Sequence, residues 1–165
     1  MKKIQLFSLM ALLFAFSAYG AETQSDSLFS DNELRFNIYG SYSSESLWGE
    51  GLGLSYYFTK NIGVEGSVNR QGFDTEGSFI QNADASLLFR LPLTKVLAPY
   101  VLVGSGYNFD SKDFSPQAGF GLEYRITKRV GVFGEASYSF GKWDRWELPE
   151  WSDVQTKFGL KLAFW

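Results

Sequence analysis

From residue 34 onward, apolar and polar side chains alternate in eight stretches: 34–44, 48–58, 62–70, 77–91, 99–109, 114–126, 130–140 and 154–164. A period of two marks a strand whose two faces meet different surroundings. The last stretch shows it most plainly. Val154, Phe158, Leu160, Leu162 and Phe164 alternate there with Gln155, Lys157, Gly159 and Lys161. In the sixth, Ala118, Phe120, Leu122 and Tyr124 take one side, and Gln117, Gly119, Gly121, Glu123 and Arg125 take the other. In the third, Val64 and Val68 oppose Glu65, Ser67 and Asn69. The pattern predicts eight strands.

The connections alternate in length. Residues 59–61, 92–98 and 127–129 are the short ones, and 71–76, 110–113 and 141–153 the others. Only 44–47 breaks the rule by being brief. A soluble sandwich also alternates, but its connections tend to be uneven Greek keys and its polar side is rarely so rich in glycine. An even number of strands of about ten residues, with tight turns on one side and longer loops on the other, fits a barrel that crosses a membrane. The longest apolar run after Gly20, residues 96–103, is eight residues and contains Pro99, which excludes a helical membrane protein.

The start of the chain reads as an address. Lys2 and Lys3 precede an apolar run over 4–16, and Ala18-Tyr19-Gly20 places small residues before a cut. That is the form of a secretory signal peptide, and the run is short for a single membrane anchor. The expected organisation is a signal peptide over 1–20, a periplasmic N-terminal segment over 21–32 and a barrel domain over 33–165.

An internal repeat supports one hairpin type used around a ring. Gly51, Gly53, Leu54, Tyr56, Thr59, Lys60, Gly63, Val64 and Gly66 all recur 68 residues later, without a gap. Thr94-Lys95 marks a looser third copy. The alignment predicts Ser55 opposite Glu65 and Gly121 opposite Glu135, with Lys157 or Lys161 meeting Glu135 from the neighbouring strand. The aromatics fall into two bands. Tyr56, Phe58, Phe89, Tyr100, Tyr124, Phe164 and Trp165 lie at the short-turn end. Tyr42, Trp48, Phe79, Tyr107, Phe109, Phe114, Tyr138 and Phe140 lie at the loop end. Two such bands are expected as girdles at the membrane surfaces.

With its Thr-Lys turns, its repeated Gly-x-Gly-Leu-x-Tyr hairpins and the end Phe158-Gly-Leu-Lys-Leu-Ala-Phe-Trp165, the chain resembles the small outer-membrane β-barrel proteins of the OmpA-like and OmpX-like eight-stranded type. The resemblance covers about 33–165 and implies an all-β, eight-stranded, antiparallel, up-and-down transmembrane barrel. It also implies recognition of the aromatic end by the barrel-assembly machinery during biogenesis, after export through the Sec pathway. Phe164, Leu162, Leu160 and Phe158 carry that spacing, and Trp165 is read as an addition beyond it. No peptidoglycan-binding domain is expected after the barrel. Outer-membrane lipid and lipopolysaccharide are the implied surroundings.

An eight-stranded barrel is just wide enough inside for side chains to fill it. The expected inward charges are Glu65, Asp84, Glu123 and Glu135 with Arg35, Arg90, Arg125, Lys157 and Lys161. Four acids and five bases are close to balance, as a salt-bridged polar plug requires. The other reading is a narrow ion path, which inward glycines would keep open and Tyr39 and Tyr57 could refill.

Composition narrows the chemistry. The 165 residues include no cysteine and no histidine, which closes disulfide scaffolds, thiolate metal sites and most hydrolase designs. The barrel enzymes among related families use a histidine, so that role has no residue here to fall on. The expectation is no catalytic, metal or cofactor site. A net charge of −3 without basic stripes argues against nucleic acid. On the loop side ten acids stand against four bases, whereas the short turns carry Lys60, Lys95, Lys128 and Arg129 and no acid. The last loop adds Trp143, Trp146 and Trp151 among charges, which is either a binding surface for an external ligand or a loop packed on its own tryptophans. Two functions follow: a structural or surface-interaction barrel without chemistry, or a small porin or narrow channel.

Overall fold

The computed structural model describes residues 27–44, 48–71, 80–140 and 152–164. They form eight strands: β1 (Glu33–Ser43), β2 (Trp48–Tyr57), β3 (Ile62–Gln71), β4 (Asn82–Arg90), β5 (Leu97–Asn108), β6 (Asp113–Arg125), β7 (Val130–Phe140) and β8 (Ser152–Phe164). Each strand is antiparallel to the next, and β1 pairs with β8 to close the barrel. Closure gives every strand two neighbours, so no edge is left to template aggregation. Ser55 faces Glu65 and Gly121 faces Glu135, the pairings the repeat predicts.

The recurring Thr-Lys dipeptides have a local cause. Thr59 Oγ1 accepts from the amides of Asn61 and Ile62, Thr94 Oγ1 from Val96 and Leu97, and Thr127 Oγ1 from Arg129 and Val130. One hydroxyl thus satisfies two turn amides that the ladder cannot reach, a role suited to Ser, Thr, Asn and Asp. The lysine after each threonine is left to point outward from the same tight turn.

Faces follow parity. Outward positions carry the exposed apolar belt, including Ile38, Leu54, Leu87, Val103, Phe120, Leu122 and Leu160. Ring pairs mark both ends of the belt: Tyr56 on Phe58 at 5.2 Å by the short turns, and Tyr42 on Trp48, Tyr107 on Phe114 and Tyr138 on Phe140 at 5.2, 4.7 and 5.0 Å by the loops. Tyr100 departs from the expected lower girdle. It is 2% exposed and points into the lumen beside Leu102. The run over 96–103 is apolar on both faces, so its alternation could not say which side looked inward.

Strand ends differ from the sequence reading where a side chain or a proline intervenes. The fourth strand begins at Asn82 rather than at 77. Gln81 Oε1 accepts the Gln71 amide at 2.8 Å, so a side chain takes the ladder's next place. The fifth strand begins at Leu97, ahead of Pro99. Pro99 pairs with Leu122, and its carbonyl accepts from Leu91 at 2.8 Å. The N–H that proline lacks therefore falls at the margin of the β4–β5 ladder, where it costs little. The remaining ends move by two residues or fewer. The signal peptide reading, Phe79, Trp165 and the tryptophans Trp143, Trp146 and Trp151 lie outside the described residues.

Candidate functional site in the barrel lumen

The inward glycines seat tyrosine rings. Tyr39 lies directly opposite Gly51, Tyr57 opposite Gly63, and Tyr100 opposite Gly121 across their ladders. A Cβ at Gly51 or Gly121 would overlap the ring resting on it, and one at Gly63 would lie 2.8 Å from the Tyr57 ring. At these three positions the space a side chain would take holds the neighbour's aromatic ring.

All nine charges expected inside point into the lumen, and they sort into two groups along the barrel. Nearest the short turns sits an arginine cluster. Arg35 donates to Glu123 at 2.5 Å and to Glu33 at 2.6 Å. Arg125 donates to Glu123 at 2.7 Å and also bridges Glu33. The Arg90 Nη1 lies 3.7 Å from Glu33 and 3.9 Å from Glu123. Arg90 Nε and Arg125 Nη1 reach the carbonyls of Lys60 and Lys128 at 2.7 and 2.9 Å. The threonine-braced turns thus present acceptors to the cluster as well as lysines to the outside. The Arg90 guanidinium stacks 3.9 Å from the Tyr57 ring centre and 4.7 Å from that of Phe29. Arg35, Glu123 and Arg125 have no solvent exposure. Buried charges at this depth survive only when paired and hydrogen-bonded.

A buried band of Tyr57, Leu88, Tyr100 and Leu102, with Phe133 close by, packs against the arginines. The second group of charges begins within that band. Lys161 sits between the rings of Tyr100 and Phe133, at 4.7 and 4.6 Å, with Glu65 at 3.7 Å. Glu65 accepts from Asn37 at 2.9 Å and Ser55 at 3.2 Å. Glu135 accepts from the Tyr100 hydroxyl at 2.9 Å. Lys157 lies 3.7 Å from Glu135 and 3.4 Å from Asp84. Of the two bases expected to meet Glu135, the structure therefore brings Lys157, while Lys161 turns across the lumen to Glu65. Toward the loops the inward residues become small and neutral: Ser41, Ser43, Ser67, Asn69, Gln117, Ser137 and Gln155.

Four residues escaped the sequence reading. Glu33 shares parity with Arg35, but it stands one position before the expected strand start. It is the fifth acid, and with it five acids and five bases face the lumen among the described residues. The imbalance left without it was a usable signal. Asn37 and Tyr100 carry no charge pattern. Phe29 precedes the first strand, in a segment with no period to place it.

The arrangement supports no proton transfer chain to an open cleft. It is an interior crowded with side chains whose charges are paired, although several buried polar atoms, Arg90 Nη1 and Nη2 among them, lack a hydrogen-bond partner among the described residues. Comparison with known proteins agrees with the architecture. The profile of the outer membrane protein beta-barrel domain family matches residues 8–161. The N-terminal β-barrel domain of Pseudomonas aeruginosa OprF superposes with a TM-score of 0.60 at 18% identity, over 82% of this chain and 99% of that one. Ail of Yersinia pestis, in a phospholipid nanodisc, gives 0.54 at 17% identity, over 81% and 100%. A transmembrane β-barrel designed de novo gives 0.64 at 16% identity, over 81% and 97%. At these identities the likeness is one of fold. No curated protein matches the sequence.

Proposed function

Because the chain belongs to the outer membrane protein beta-barrel domain family, we propose that it is a non-enzymatic barrel of the bacterial outer membrane with a structural or surface-interaction role, not a porin. The observation that carries this reading is the doubly closed lumen. The arginine cluster packs against the Tyr57–Leu88–Tyr100–Leu102 band, and Arg35, Glu123 and Lys161 are wholly buried. A permeating ion would have to break charge-assisted hydrogen bonds and displace buried aromatic rings. The barrel reaches its membrane by Sec export, loss of residues 1–20 and insertion by the assembly machinery. Its acidic loops then stand among lipopolysaccharide, where divalent cations bridge like charges, and Trp143, Trp146 and Trp151 offer apolar contacts to an external ligand. The acidity of those loops disfavours polyanionic ligands of the kind bound by Ail, which has been solved with the heparin analogue sucrose octasulfate.

Planar-bilayer recording of the purified barrel tests the reading. The expected result is a membrane without steady openings. Steady, voltage-dependent unitary conductance would overturn it in favour of the narrow channel.

A further inference from the structure

The short-turn mouth is covered by the chain's own N-terminal segment. Residues 27–32 run across it and are tied at three points: Leu28 N to Lys95 O at 3.0 Å, Lys60 N to Asp31 Oδ1 at 2.5 Å, and the Tyr56 hydroxyl to Asn32 Oδ1 at 3.1 Å. Phe29, 4% exposed, is the wedge of this strap. Its ring rests on two guanidinium groups, 4.7 Å from Arg90 and 5.3 Å from Arg125. Asn32, with φ of 53°, makes the bend from the strap into β1, in the left-handed region that asparagine tolerates better than most residues.

What lies beneath the wedge is under-satisfied. The cluster holds Arg35, Arg90 and Arg125 against Glu33 and Glu123, an excess of one positive charge. The two carboxylates give their close hydrogen bonds to Arg35 and Arg125. Arg90 Nη1 and Nη2, both buried, have no hydrogen-bond partner among the described residues. Buried donors are seldom left this way, and each unanswered one is a cost that an acceptor would remove. Around the mouth the turn residues Lys60, Lys95, Lys128 and Arg129 form a basic collar. Asp31 is the one acid among the described residues of the strap and the short turns, and basic charge at an opening concentrates anions there.

We propose that the short-turn mouth is a strap-covered anion site, in which the Nη groups of Arg90, ion-paired only at 3.7 and 3.9 Å and without a hydrogen bond among the described residues, take a phosphate-type oxyanion from the periplasmic side when Phe29 lifts. Planar guanidinium forks match the oxygens of phosphate in pairs, which a lysine cannot reproduce. The strap lowers the apparent affinity by the fraction of time it is closed. The proposal is independent of conduction, because the site lies on the periplasmic side of the apolar band.

The test is an NMR titration of the full mature chain in zwitterionic micelles, following the Arg90 Nε–H signal and the Phe29 ring. Inorganic phosphate should shift both signals saturably, and chloride at the same ionic strength should not. A second arm uses phosphatidylcholine nanodiscs in phosphate-free buffer, with or without phosphatidylglycerol. The same shift on adding phosphatidylglycerol identifies a lipid headgroup as the source of the oxyanion, and its absence there identifies a free anion. Phe29→Ala should tighten binding several-fold, Arg90→Lys should weaken it, and Arg90→Gln should abolish it. Failure of both phosphate and phosphatidylglycerol to shift Arg90 overturns the proposal. So does equal phosphate affinity in Phe29→Ala and the parent, a comparison that holds even if Arg90→Gln fails to fold.

Discussion

The lumen has two halves that are built differently. Toward the short turns, Arg35, Arg90 and Arg125 interlock with Glu33 and Glu123 under aromatic rings. Toward the loops, the inward side chains are serine, asparagine and glutamine, with hydroxyls such as those of Ser41, Ser43 and Ser137 making no hydrogen bond to the described residues. Both halves are polar, yet only the first is a network in which each member depends on the others. The difference shows that polarity inside a barrel does not by itself make a path. Long charged side chains fill the bore and pair across it, whereas short neutral ones line it and leave the pairing to others.

The two halves should respond unequally to substitution. The largest effect is expected at Glu123→Gln, which leaves the three buried guanidiniums of Arg35, Arg90 and Arg125 to Glu33 alone and should cost about 3–5 kcal/mol, the usual penalty for breaking a buried pair. Urea unfolding of the barrel in lipid vesicles measures it. Stability equal to the parent would mean that the cluster is hydrated and not closed.

A smaller effect is expected in the middle of the bore. Glu135→Gln leaves Lys157 with Asp84, at 3.4 Å, so the loss should be about 1–3 kcal/mol. A double-mutant cycle sharpens this. Glu135→Gln with Lys157→Gln should show a coupling on the order of 0.5–3 kcal/mol, and Glu135→Gln with Lys161→Gln a smaller one. The reverse order would reassign the partners. Least of all is expected at Ser137→Ala in the loop half, within about 0.5 kcal/mol, because no hydrogen bond to a described residue is lost. A loss as large as that at Glu123 would erase the distinction between the halves.

The two halves also differ in how far the sequence could read them. Strand number, inward parity and the Ser55–Glu65 and Gly121–Glu135 pairings follow from period two and from the repeat, because neighbouring strands are joined by turns of known length. Pairing across the bore is set by how the ring closes, so no local pattern could assign Lys161 to Glu65 or Lys157 to Asp84. Tyr100 was hidden by a run apolar on both faces. Glu33 was lost to a strand boundary set one residue late. Phe29 covers its arginines from outside any periodic element, so no sequence pattern places it there.

If the buried band of Tyr57, Leu88, Tyr100 and Leu102 closes the lumen, a thiol placed in it is out of reach of water-borne reagents. The chain has no cysteine, so a single introduced thiol reports its own surroundings without background. Leu102→Cys places that thiol in the band, and Lys60→Cys places one on a short turn as a reference. In the folded barrel a charged, water-soluble thiol reagent should modify Lys60→Cys readily and leave Leu102→Cys untouched until the protein is unfolded. Modification of Leu102→Cys in the folded barrel at a rate near that of Lys60→Cys would contradict the closed lumen.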